Sequence, residues 1–160
     1  MYKTKISLML ALVIVLLAAP LAMAAHHESI VDLAVADGRF TTLVAAVVGT
    51  GLADALSGGE WTVFAPTDEA FAKLGLNAGN VVSVVGKAEL TDLLLYHALT
   101  TEASSSKAKT LLGDITMANG KIAGLKYFDG DLYVNDDSKV IIPDITGNNG
   151  VIHVVDTVIL

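Results

Sequence analysis

Cysteine is absent from this 160-residue chain, which excludes disulfides, thiol catalysis, zinc–thiolate sites and a lipid anchored through a cysteine. Basic residues are scarce. Ten Lys and Arg against 17 Asp and Glu leave a net charge of −7 at pH 7, so no basic stripe exists to neutralise phosphates, and nucleic acid and anionic membrane surfaces are disfavoured partners. No Asn-x-Ser/Thr sequon occurs, which favours a prokaryotic over a eukaryotic exported chain. HExxH, GxSxG and paired-carboxylate signatures are also missing, which argues against an enzyme, and no internal repeat is visible.

What is present begins with an export leader. Lys3 and Lys5 precede an uncharged apolar run from Ile6 to Ala19, and Ala22-Met23-Ala24 has the small-x-small form that a signal peptidase cuts. The run is shorter than the roughly 18 apolar residues of a membrane span, so a cleaved signal over residues 1–24 is the expectation, with no membrane insertion afterwards. Cleavage removes both lysines and no acid, taking the net charge from −7 to −9. A short tail, residues 25–29, then leads into one domain over 30–160, long enough for one core and too short for two. A secreted, periplasmic or cell-surface location and a monomer are expected.

The chain from Thr62 to Leu74 joins two kinds of structure. Trp61, Thr62, Val63 and Phe64 favour a strand, Pro66 ends it, and Thr67 can cap a helix whose first turn holds Asp68 and Glu69 and whose apolar stripe is Ala70, Phe71 and Leu74. Upstream, Ser29 with Asp32 predicts a capping box for a short helix stopped at Asp37-Gly38, and Phe40, Leu43, Val44 and Val47 predict an amphipathic helix before Gly49-Thr50-Gly51. Leu52–Leu56 adds a turn. Downstream, a helical turn within Asn77–Gly86 is followed by a helix over Lys87–Ala98, with Leu90, Leu93, Leu94 and His97 on one face, and Thr100–Lys109 reads as a loop.

From Asp114 the period becomes two. Strands over Ile115–Ala118, Lys121–Phe128, Leu132–Asn135 and Lys139–Ile142 are joined by Asn119-Gly120, Asp129-Gly130 and Asp136-Asp137, and Pro143 breaks the ladder. Asn148-Asn149-Gly150 turns the chain into Val151–Leu160, apolar on both faces and so read as a central strand covered on both sides. Helices first and strands later make an α+β class.

Thr62-Val63-Phe64-Ala65-Pro66-Thr67 running on to Ala70-Phe71, then Leu95-Tyr96-His97, then Asn149-Gly150-Val151-Ile152-His153-Val154 are three motifs whose order resembles the fasciclin-type (FAS1) adhesion domain. The resemblance spans about Ile30 to Leu160. It implies a wedge or sandwich of about seven strands with a flanking layer of short helices, and a non-enzymatic module for cell-surface or matrix adhesion. The implied partner is a surface or matrix protein or polysaccharide, and no cofactor is implied. It also implies that Thr62, Phe64, Pro66, Thr67, Phe71 and His153 form the structural framework, and that partner contacts fall at Tyr96-His97 and Asp144-Ile145.

His97 on an apolar helical face and His153 inside an apolar strand read as buried neutral imidazoles satisfied by backbone, in preference to a metal or acid–base pair. Asp129, Asp131, Asn135, Asp136 and Asp137 lack the spacing of a calcium loop and read as hairpin tips. Gly49-Thr50-Gly51 follows no strand and is not a phosphate loop; Ser104-Ser105-Ser106 has no nearby base and is not a nucleophile. Asp144 reads as a loop acid that contributes to recognition more than to folding. An alternative function is the binding of a small ligand or metal. Cleavage after Ala24 would start the chain at Ala25-His26-His27, whose terminal amine, two backbone amides and His27 imidazole suit Cu(II) or Ni(II), with His26 as a further donor.

Overall fold

The computed structural model describes residues 28–160. The expected signal over residues 1–24 and the Ala25, His26, His27 trio lie outside the described residues. Ser29 opens helix α1 (Ile30–Asp37) by a reciprocal capping box, its hydroxyl accepting the Asp32 N–H while the Asp32 carboxylate accepts the Ser29 N–H, and Gly38 in the left-handed region closes it. Helix α2 (Thr41–Thr50) starts one residue after Phe40, which is buried but outside the helix. Its cap comes from far along the chain. The Asp68 carboxylate accepts the Thr42 N–H at 2.8 Å and the Thr41 hydroxyl at 2.7 Å, so an acid expected only to favour its own helix also satisfies the start of α2.

Helix α3 (Ala53–Ser57) leads through Gly58-Gly59 into strand β1 (Trp61–Pro66), and Thr67 caps α4 (Asp68–Ala72) by accepting the Ala70 N–H, as its position predicts. Then follow α5 (Val81–Val85), α6 (Lys87–Tyr96), the two-residue strand β2 (Ala98–Leu99), α7 (Ser105–Ala108) and strands β3 (Gly113–Thr116), β4 (Ile122–Phe128), β5 (Asp131–Val134), β6 (Ser138–Gly147) and β7 (Gly150–Val155). The seven strands form one sheet in the order β2-β1-β7-β6-β5-β4-β3. Among the described residues only the β1–β7 pair is parallel. The sheet curls until its ends nearly meet, where the Ala118 N–H donates to the Ala98 carbonyl at 2.8 Å.

Curling divides the interior in two. Ala65, Ile152 and Val154 face a core shared with the helices, whereas Phe64 and Val155 face a second core filled by Leu125, Leu132 and Val134. All six residues of β7 are buried, which is why that strand carries no polar alternation.

Five local expectations change. Strand β7 ends at Val155 instead of running to Leu160, although Val158 and Ile159 remain buried beyond the turn. Strand β6 continues past Pro143 because the register shifts between Val140, Ile142 and Ile145 accommodate a residue without an N–H. Thr100–Lys109 contains α7, and Ala98–Leu99 is a strand instead of the end of α6. Asp129-Gly130 places both residues at positive φ, as a two-residue hairpin needs, but at Asn119-Gly120 only Gly120 does so.

The β6–β7 turn joins both layers. Asn149 accepts the Ile30 N–H at 2.9 Å, donates to the Leu56 carbonyl at 2.7 Å and offers its own carbonyl to the Trp61 N–H at 2.9 Å. At the next residue a Cβ would lie 2.0 Å from the Trp61 carbonyl oxygen, so only glycine admits the approach of β1 to β7. Gly150→Ala is therefore expected to lower stability by about 3 kcal/mol through forced separation of these backbones, and Phe71→Ala by about 3 to 5 kcal/mol through a core cavity. Denaturant unfolding curves check both, and unchanged midpoints would contradict this placement of β1 and its helix.

Candidate functional site

The inner residues of β1 and β7 bring polar groups into the core, and each has its partners. Thr62, fully buried, donates to the Thr101 carbonyl at 2.6 Å and accepts the Ala103 N–H at 2.7 Å. His153, 0% exposed, stands opposite Phe64 with ring centroids 5.6 Å apart. The Asp144 N–H donates to His153 Nδ1 at 3.2 Å, so the proton sits on Nε2, which donates to the Ala103 carbonyl at 2.7 Å. Both backbone groups of Ala103 are thereby fixed from within the sheet.

His97, 2% exposed, is wired in the opposite sense. The Ile159 N–H donates to Nε2 at 2.9 Å, so Nδ1 carries the proton and donates to the Leu93 carbonyl at 2.7 Å, while the His97 carbonyl accepts the Phe64 N–H at 2.8 Å. Burial pushes His97 down to about 4, opposed only in part by the Leu93 carbonyl. Burial also lowers His153, against the Ala103 carbonyl and the Asp144 charge.

The expected partner-contact residues separate into different roles. The side chain of His97 presents no surface. Half-buried Tyr96 uses its hydroxyl as a brace, donating to the Ile122 carbonyl at 3.0 Å and accepting from Asn135 Nδ2 at 2.7 Å, while Asn135 Oδ1 accepts the Gly124 N–H. Ile145 packs against the helical core. Asp144 is exposed, at φ 60° in the irregular part of β6, and its carboxylate holds the start of α7 by accepting the Ser105 N–H at 2.7 Å and the Ser105 hydroxyl. Burial would raise its pKa, but the Ser105 hydrogen bonds, with a smaller contribution from the Lys109 charge, outweigh this and hold the carboxyl below the usual range. Asp144 is thus a folding residue as well as a surface one, correcting its reading as an acid spared for recognition.

Ser105, Asp144 and His153 are neighbours without the connections of an activated nucleophile. Ser105 points to the carboxylate, and both nitrogens of His153 are taken by backbone groups. Pro66, Thr67 and Phe71 are buried where β1 passes into α4. Asp129, Asn135 and Asp136 have positive φ at hairpin tips, a conformation Asn and Asp tolerate. Among the described residues no group of three or more His, Asp and Glu is placed to hold a metal ion.

Beside Asp144 lies a shallow groove of about 160 Å³, with Ser105, Lys109, Tyr127, Asp131, Ile141 and Pro143 on its walls. The Lys109 ammonium stands 4.7 Å from the Tyr127 ring centroid, and Lys139 pairs with Asp131 at 2.6 Å. Lys109 and Tyr127 carried no signal in the sequence, because β4 and α7 meet only through the fold. Ser104, in a stretch read as a loop, is the N-cap of α7, its hydroxyl accepting the Lys107 N–H.

These features define a known class, and the chain belongs to the fasciclin domain family, whose model matches residues 38–160. It is 40% identical to protein sll1735 of Synechocystis over 82% of this chain and 97% of that protein. It is 34% identical to the transforming growth factor-beta-induced protein ig-h3 of Sus scrofa over 82% of this chain and 19% of that longer protein. The FAS1 domain pair of the insect cell adhesion molecule fasciclin I shares the fold, with a TM-score of 0.58 at 18% identity over 78% of this chain and 46% of that one. The expected fold class and family are therefore both found. Among the described residues no helix is long and apolar enough to cross a membrane.

Two outcomes follow. A histidine whose folded pKa is depressed stabilises fully above its unfolded value near 6.5, and that stability is lost as pH falls toward the folded value of about 4. Wild-type protein should lose about 2 to 3 kcal/mol between pH 7 and 4.5 from His97 alone, whereas His97→Gln should start less stable and lose less over the same window. Urea titrations at the two pH values measure it, and a flat wild-type profile would contradict it. Asp144→Ala should cost about 1 kcal/mol as its hydrogen bonds to Ser105 at the start of α7 are lost, with Asp144→Asn recovering part of it, read from thermal melts.

Proposed function

We propose that the protein is an exported, non-enzymatic binding module that attaches to a surface or matrix polymer, protein or polysaccharide, outside the cytoplasm. The observation that carries this reading is membership of the fasciclin domain family over residues 38–160, together with the fold shared with an insect cell adhesion molecule. The leader-like residues 1–24 support export. The closed wiring of Ser105, Asp144 and His153 supports binding over catalysis, since no nucleophile or base is left free at that corner.

The contact surface in this reading is the groove beside Asp144. Tyr127 supplies a flat ring face that can stack on a sugar or a peptide side chain, Lys109 supplies a cation on an acidic protein, and α7, fixed by Asp144, sets the distance between them. Tyr127→Ala and Lys109→Ala should each lower retention of envelope or matrix material on the immobilised domain about tenfold or more, with melting temperatures close to wild type. Equal retention by both variants would remove the groove from the proposal, and no retention by wild-type protein would remove adhesion.

A further inference from the structure

Between α1 and α2 lies a groove bounded by Ala34 and Val35 on one helix and Val44, Ala45 and Val48 on the other. Val35 is 59% exposed and Val48 64%, unusual exposures for valines beside one another on an acidic protein. Ala34, Val44 and Val48 also border a second space, an apolar cavity of about 40 Å³ between the helices and the sheet, floored by Val63 and Ile152. That volume exceeds the roughly 10 to 15 Å³ a single water needs, but the lining has almost no polar atom to hold one, so water has no reason to occupy it. Groove and cavity share Ala34, Val44 and Val48 as a common wall, and both are lined almost wholly by apolar atoms.

We infer that groove and cavity join as one slot and that this slot takes one molecule of an uncharged, slender hydrocarbon ligand of alkyl or isoprenoid type. The charge distribution selects it. From Phe40 to Ala53 no residue is charged, and the charged groups of α1, of the α1–α2 connection and at the start of α2 are already engaged: Asp32 with Ser29, Arg39 with Asp37, and Asp68 with Thr41 and Thr42. No cation is left to pair with a carboxylate or phosphate, and the chain's excess of acids repels an anion from the mouth. The shape selects it as well. A partner helix, or a second copy, laid across the groove would leave the inner cavity empty, whereas a thin chain passing Ala34 fills both. This site lies on other elements than the groove beside Asp144 and stands independently of the adhesion proposal.

The test uses the purified protein and the neutral probe N-phenyl-1-naphthylamine, followed by displacement with farnesol, uncharged, or laurate, anionic at pH 7. Saturable binding of one equivalent is expected, with farnesol displacing the probe at least tenfold more effectively than laurate. Val48→Asp adds a charge at an exposed position and should weaken binding at least tenfold with the melting temperature retained, and Ala34→Trp should do the same by filling the throat. Tyr127→Ala should leave binding unchanged. Absence of saturable binding, equal affinity in Val48→Asp, preference for laurate, or binding seen only with neutral phosphatidylcholine vesicles would each overturn the inference. So would a dimer in sedimentation whose formation excludes the probe.

Discussion

A parallel pair at the centre of the sheet sets the terms for the rest of the molecule. Strand β1 ends near residue 66 and β7 begins at Gly150, and all the chain between has to leave the sheet, build the remaining strands and return beside β1 in the same direction. Such a pairing lies late in sequence and closes a long loop, so its contacts must offset a large ordering entropy. The backbones approach so closely at Trp61 and Gly150 that no side chain fits between them. Around this contact the protein concentrates hydrogen-bonded polar side chains: buried Thr62, His97 and His153 and half-buried Asn149 each bind backbone atoms of segments that belong to no strand of the central pair.

Two imidazoles in opposite neutral tautomers carry much of this. His97 connects α6 to the segment after β7, and His153 connects β7 to the loop that precedes α7 and to the bulge of β6. A lysine or carboxylate in either place would have to be buried charged, whereas a neutral imidazole offers one donor and one acceptor in fixed directions. The same corner then reaches the surface through Asp144 and Ser105, so the position of α7 and of the groove beside it depends on the core histidine.

How far the sequence could be read follows from how local each signal was. The capping box at Ser29 and Asp32, the cap at Thr67 and the Asp129-Gly130 hairpin are decided by residues within four positions of one another and were legible. The burial of His97 and His153 was legible from their apolar surroundings. Strand β2 was not, since two residues become a strand only by pairing with Thr62 and Val63. The end of β7 was hidden because Val158 and Ile159 remain apolar and buried after the strand has stopped. Asp144 looked like a free loop acid because its partner, Ser105, is distant in sequence. The groove of Lys109 and Tyr127 and the slot between α1 and α2 are products of packing, with no pattern to announce them.

Nitrogen-15 NMR of the two imidazoles, followed through an acid titration, tests the account at its centre. The structure requires His97 protonated on Nδ1 and His153 on Nε2 at pH 7, both neutral, with His97 taking up its second proton only near pH 4. Titration of either ring near pH 6.5, as in a histidine open to water, or the same tautomer in both, would contradict the arrangement on which the fold and its surface corner are argued to rest.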